Sequence, residues 1–325
     1  MNRTVLSLCG SVAVFAACGG ARPVTQTPEP AETAISHRTP EYRAPEAEPE
    51  EHLVLLAEPS TGCGLPRDPG DAVETIDVGD EVRSYRVHTP LNYVPLGEAP
   101  LVVNYHGSSK TAVDQESYSG LIPIADREGF VLVTPEGSGY PQGWDIAGIY
   151  NEDGSDDVAF TAALVERLES ELCIDSHRVY ATGLSNGAEM ASQVACFLPG
   201  LFAAAAPVAG IVYQECDGEP VAMVTFHGTE DYNVPFDTAP DGVAQWAAHN
   251  GCLGDPFTEQ LTEHVDRLTS TDCSGADVVF YVIDGGGHTW PGAKDDAGGA
   301  GPTTHEISAS ELIWQFFAAH PKPRP

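Results

Sequence analysis

The feature that most constrains this 325-residue chain is a succession of short, nearly continuous apolar runs set between helical patterns from Ser84 onward. SYRVHT, LVVNY and FVLVT come first, then RVYAT and FAAAAPV, then VAMVTF and VVFYVI. A run that stays apolar at successive positions has both faces covered, as in a parallel strand with helices above and below it. Helices are expected over about 156–173, directly after Ser185, near 243–249, and in a last segment ending around Phe317. In the first of them Val158, Ala162, Val165, Leu168 and Leu172 recur at helical spacing and should face the sheet, with Asp156 as N-cap. The alternation predicts one α/β domain built on a mainly parallel central sheet with helices on both faces.

Charge narrows the partners. The chain carries 48 acidic against 15 basic residues, a net charge of −33. Residues 1–62 hold only 8 acids and 4 bases, so the surplus belongs to the folded body. Such a polyanion is repelled by nucleic acid and by anionic lipid headgroups, which excludes nucleic-acid partners, and it suits salty surroundings. At the N-terminus Arg3 precedes an apolar run from Val5 to Ala17, too short for a membrane span and typical of an export signal over 1–17. Phe15-Ala16-Ala17-Cys18 resembles a bacterial lipobox, in which Cys18 is lipidated and leads the mature chain. Phe15 stands where leucine is usual, and plain secretion is the alternative. Residues 18–62 are rich in Pro and Glu without hydrophobic period, the composition of a disordered tether, and the folded domain is expected over 63–320. The chain is thus expected outside the cytoplasm, secreted or as a cell-envelope lipoprotein, touching a membrane only through its anchor.

The chemistry turns on YATGLSNGAEMA, which sets Ser185 between Gly183 and Gly187 at a junction of strand and helix. A helix-capping serine in a glycine turn explains this equally well until partners are found. A nucleophile elbow needs an acid and then a histidine downstream, each after a buried strand, and a backbone oxyanion hole upstream. VAMVTF runs into HGTEDYNVPF, with Asp231 four residues past His227, and VVFYVI runs into DGGGHTWPG, with His288 on a glycine-rich loop. Upstream, LVVNY ends in His106-Gly107-Ser108-Ser109, so the N–H of Gly107 or Ser108 is the second oxyanion donor beside that of Asn186. The order Ser185, Asp231, His288 is that of the α/β-hydrolase fold, and each member follows a strand at the same sheet edge. Asp237 and Asp241 are the fallback acids. Trp144 in QGWD and Trp290 beside the histidine are the candidate walls of an acyl pocket. No CxxC or HxxxH spacing is present, and no metal site is expected.

CGLP at Cys63, LVVNYHGS, RVYATGLSNGAEMA, FAAAAPVAG, FHGTEDYNVPF and VVFYVIDGGGHTWPG together resemble the secreted esterase family that groups polyhydroxybutyrate depolymerases with feruloyl and acetylxylan esterases. The resemblance implies a compact α/β-hydrolase without a large lid, needing neither metal nor organic cofactor. It also implies a serine carboxylic-ester hydrolase working through an acyl-enzyme. The substrates it implies are hydroxyalkanoate-type polyesters and oligomers, or feruloyl and acetyl esters of plant polysaccharide. Two departures stand out: Ala188 follows Gly187 where a second glycine is frequent, and Glu189 and Glu152 add negative charge near the expected site. The alternatives are a general lipase or thioesterase, or a non-catalytic surface lipoprotein on the same scaffold. The residues fix no oligomeric state.

Beyond Cys9 in the signal and Cys18 at the lipobox stand Cys63, Cys173, Cys196, Cys216, Cys252 and Cys273, and an even number in an exported chain implies disulfides. On the expected fold Cys196 ends the helix behind Ser185 and Cys216 follows the next strand and loop, which pairs these two. Cys252 and Cys273 enclose a short polar excursion. Cys63 then joins Cys173, pinning the start of the domain to the end of the long helix.

Overall fold

The structure, a computed structural model, describes residues 60–146, 156–216, 218–294 and 300–324. The expected signal, lipobox cysteine Cys18 and tether up to Pro59 lie outside them, as do Glu152 and the Asp156 side chain. A ten-stranded sheet organises the domain. Its strands are β1 (Gly70–Val78), β2 (Glu81–Thr89), β3 (Ala99–Tyr105), β4 (Val131–Pro135), β5 (Ile174–Leu184), β6 (Ala204–Val208), β7 (Ala222–Gly228), β8 (Cys252–Gln260), β9 (Val265–Cys273) and β10 (Val278–Ile283). They lie in the order β1-β2-β4-β3-β5-β6-β7-β10-β9-β8. From β4 to β10 every neighbouring pair is parallel, and antiparallel pairs close both flanks.

The parallel strands are the apolar runs. β3, β4, β6 and β7 are buried at every position, because helices cover both faces. Among the described residues these helices are α1 (Ala112–Ser119), α2 (Ile122–Glu128), α3 (Asp156–Glu171), α4 (Asn186–Phe197), α5 (Thr238–His249) and α6 (Ala309–Ala319). One core joins Phe160, Leu164, Met190, Val194 and Trp246 from α3, α4 and α5 to one face of the sheet. The other joins Leu121, Ile124, Ile313, Trp314 and Phe317 around α2 and α6. In α3 the buried stripe runs through Phe160, Leu164, Val165 and Leu168 and continues to Leu172 just past its end, while Val158 and Ala162 are half-buried. The stripe is turned slightly from the expected one, and at the start of the helix the inward position belongs to Asp157, in a buried pair with Arg83 2.7 Å away.

Three disulfides join Cys63 to Cys173, Cys196 to Cys216, and Cys252 to Cys273, the expected pairing. The last is cross-strand: Cys252 and Cys273 are register partners in a β8–β9 hairpin that extends the sheet. At the other end of the chain, Ser60 accepts the Ile174 N–H and donates to the Leu172 carbonyl, and Gly62 donates to the Glu169 carbonyl. The chain therefore enters the domain against the end of α3 and the start of β5.

Candidate active site

Ser185 sits at φ 59°, ψ −124°, between β5 and the first residue of α4. This region is rarely adopted by non-glycine residues and persists only where the surroundings impose it. They do so here by close backbone approach. A Cβ on Gly187 would fall 2.2 Å from the Tyr105 carbonyl oxygen, and one on Gly183 would fall 2.4 Å from the Gly187 carbonyl oxygen. The Ser185 N–H donates to the Val208 carbonyl at 3.0 Å, and its side chain is half-exposed with no hydrogen bond to a described residue.

Asp231 and His288 meet across two loops that are stitched together. Thr229 N–H donates to the Ile283 carbonyl and Glu230 N–H to that of Gly286. The loops lie so close that a Cβ on Gly228 would fall 2.1 Å from the Gly286 carbonyl oxygen. His288 Nδ1 is 2.7 Å from Asp231 Oδ2, both side chains being almost wholly buried. Asp231 Oδ1 accepts the Asn233 and Val234 N–H groups, each at 2.9 Å. Burial alone would raise this carboxyl; donation from His227, His288 and the Val234 N–H outweighs it and holds Asp231 well below the usual carboxylate range. Asp231 is thus a fixed anion that orients His288 with Nδ1 protonated, leaving Nε2 as the basic nitrogen. Neither Asp237 nor Asp241 hydrogen-bonds His288 among the described residues.

The third element is the loop after β3. A Cβ on Gly107 would come within 3.5 Å of the Ser185 Cβ, so this loop lies directly against the elbow. The N–H groups of Gly107, Ser108 and Asn186 make no hydrogen bond to any described residue. Donors left open together beside a serine can take a developing oxyanion. His106 braces the loop from within: its Nδ1–H donates to the Gly107 carbonyl and its Nε2 accepts the Gly137 N–H, each at 2.8 Å. Burial lowers the basicity of this ring and keeps it neutral, as those two bonds require.

Sequence reasoning missed the part played by the Asn186 side chain. Its Oδ1 accepts the Trp144 N–H at 2.7 Å and its Nδ2 donates to the Trp144 carbonyl at 3.2 Å, clamping the 137–144 hairpin to the elbow. Nδ2 also reaches Glu189 Oε2 at 3.3 Å, and burial pushes the Glu189 carboxyl up. Ser108, Ser138, Pro141, Gly143 and Asn186 line an open cavity of about 230 Å³ here. The two tryptophans expected to wall an acyl pocket differ in placement. Trp290 is 1% exposed, packed in the α2–α6 core with Nε1 donating to Ser310 Oγ, and offers no surface to a ligand. Trp144 borders the cavity but is 3% exposed, its indole turned inward to donate to the His106 carbonyl at 2.7 Å. Both indoles spend their polar handles on the scaffold. No group of His, Cys, Asp and Glu suited to a metal occurs among the described residues.

A mainly parallel sheet flanked by helices, with a serine elbow after β5 and an Asp–His pair after β7 and β10, is the α/β-hydrolase fold. The chain belongs to the esterase PHB depolymerase family, whose model matches residues 70–241, and is a carboxylic-ester hydrolase by that membership. It is 31% identical to feruloyl esterase B of Piromyces equi over 231 residues, covering 63% of this chain and 42% of that protein's length. With feruloyl esterase D of Neurospora crassa it shares 27% identity over 283 residues, 82% of this chain and 92% of the relative. Among solved structures, acetyl xylan esterase from Aspergillus awamori has the same fold, with TM-score 0.57 and 20% identity over 67% of this chain and 94% of that one.

Proposed function

We propose that this chain hydrolyses carboxylic esters by two-step acyl transfer at Ser185. His288 Nε2 takes the hydroxyl proton as Oγ attacks the carbonyl carbon, and returns it to the departing alcohol. Asp231 holds the imidazole tautomer and stabilises its cation. The Asn186 N–H, with that of Gly107 or Ser108, stabilises the oxyanion, and water then hydrolyses the acyl-serine by the same route. The observation that carries this reading is the Asp231–His288 pair at 2.7 Å on the sheet edge where Ser185 occupies its left-handed turn. The relatives' names favour feruloyl esters as substrates and the family's description favours hydroxybutyrate polyesters and oligomers, and acetyl esters of plant polysaccharide belong to the same proposal on the sequence resemblance. Three disulfides support an extracytoplasmic setting, with the signal at 1–17, lipidation at Cys18 and the tether to residue 62 part of the same proposal.

The test is a hydrolysis panel of methyl ferulate, acetylated xylan and hydroxybutyrate oligomers, run on the wild type and on Ser185→Ala. The variant is expected to fold normally and to lose roughly 10⁴–10⁶ in kcat. Retention of more than about a hundredth of wild-type activity would remove Ser185 from the mechanism.

A further inference from the structure

Asp231 serves two histidines, and acyl transfer as written uses one. His227, near the end of β7, is completely buried and stands four residues before the carboxylate. Its Nε2 lies 2.9 Å from the Val234 carbonyl oxygen and 3.3 Å from Asp231 Oδ2, the oxygen that also takes His288 Nδ1. A carbonyl oxygen only accepts, so His227 Nε2 carries a proton. The ring's other nitrogen, Nδ1, is buried without a partner among the described residues, so the bonding of this imidazole among them is directed at the 231–234 turn. Val234 is gripped at both ends of its peptide groups: its N–H donates to Asp231 Oδ1, and its carbonyl accepts from His227.

We propose that His227 is a positioning residue for the esterase reaction, one that holds the Asp231 carboxylate and the turn carrying it so that Oδ2 stays in line with His288 Nδ1. The inference rests on the Ser185–His288–Asp231 reading. A carboxylate is free to turn about its Cβ–Cγ bond unless each oxygen is tied. Here two backbone N–H groups hold Oδ1 and the His288 N–H holds Oδ2, while the single His227 N–H, given first to the Val234 carbonyl, also faces Oδ2 at 3.3 Å, so turning the plane breaks bonds on both sides. Without His227 the backbone donors remain, but Oδ2 rests on His288 alone and the 231–234 turn loses its tie to β7. Misplacement by about 1 Å in such a constellation costs on the order of 10²-fold in rate. His227 touches neither substrate nor reacting atoms, and its effect passes through Asp231.

The experiment compares His227→Gln, His227→Asn and His227→Leu in the full chain. The glutamine amide nitrogen reaches about as far from the backbone as imidazole Nε2, whereas that of asparagine stops short. His227→Gln is expected to keep kcat on p-nitrophenyl butyrate within about threefold of wild type, while Asn and Leu lose roughly 10²-fold with KM nearly unchanged. Proton NMR of the ¹⁵N-histidine-labelled proteins supplies a readout that packing alone would not move. The low-field His288 Nδ1–H signal should keep its wild-type position in the Gln variant, and shift and broaden in Asn and Leu. Equal kcat for folded Gln and Asn variants, with the His288 signal unmoved in both, overturns the proposal. If the Leu variant fails to fold, the Gln–Asn pair still decides. A wild type inactive on every ester would instead overturn the triad reading, and the NMR comparison would still show whether His227 holds Asp231.

Discussion

At the scale of single residues, the elbow shows how sequence fixes an unusual backbone. The turn that carries Ser185 is packed so closely that the carbonyl of Tyr105 occupies the place a side chain at 187 would need. A methyl group at that position cannot be absorbed by a rotamer change, since the clashing atom is main chain. Gly187→Ala is therefore expected to cost at least about 1–3 kcal/mol, lowering Tm by roughly 2–12 °C, and to reduce kcat sharply in whatever protein remains folded. Thermal denaturation alongside single-turnover kinetics checks both halves, and an unchanged Tm would mean that the elbow backbone is not what confines Ser185. The residue types of the site were legible in the sequence, because Ser185, Asp231 and His288 each stand in a short motif after an apolar run. The supporting contacts were not. Asn186 bonding to Trp144, and His227 to Val234, depend on which way a side chain turns once its loop is folded. Trp290 shows the same limit from the other side, since adjacency to His288 in the chain says nothing of its burial against Ser310.

Among the elements, legibility followed burial. The central strands announced themselves because both their faces are covered and every position is apolar. β1 was invisible, since it is an edge strand that alternates half-buried and exposed positions and mixes acids among its apolar residues. β8 carries Pro256 and a register shift between Gly254 and Phe257, features that argue against a strand until the cross-strand Cys252–Cys273 bond is known. Helices α1 and α2 are too short to show a full apolar period, and their ends are fixed locally, by the Thr111–Asp114 capping box and by left-handed glycines at 120 and 129. The disulfides differ in what they restrain. Cys63–Cys173 spans 110 residues of sequence, against 20 and 21 for the other two. On the chain-entropy account its loss should destabilise most, by about 4–5 kcal/mol against roughly 3 for each short loop. Urea unfolding of the three paired Cys→Ser variants measures this order, and a Cys196–Cys216 variant less stable than the Cys63–Cys173 variant would contradict it.

For the molecule as a whole, charge sets the conditions under which this fold is comfortable. With 48 acids to 15 bases, repulsion among carboxylates opposes compaction, and the exposed pairs such as Arg127–Glu311 are too few and too weak to offset it. Salt screens that repulsion, shortening its range from about 10 Å at 0.1 M to about 3 Å at 1 M. Tm is accordingly expected to rise between 0.05 and 1 M NaCl, the reverse of a protein held together by surface ion pairs. A falling Tm over that range would show that attraction outweighs repulsion on this surface.

The point at which the chain enters the domain bears on how the enzyme can be mounted. Ser60 and Gly62 are bonded to the end of α3 and the first residue of β5, whereas Ser185 stands just past the far end of that strand, roughly 27 Å away at the rise of an extended chain once the bulge between Ile174 and Val179 is allowed for. The last described residues return to the same pole, where the Lys322 N–H donates to the His177 carbonyl and Arg324 pairs with Asp175. A bead or a fusion partner joined directly at Ser60 would therefore grip the domain at the pole remote from Ser185. Captured this way, the domain would leave the face carrying Ser185 open to particles too large to diffuse around it.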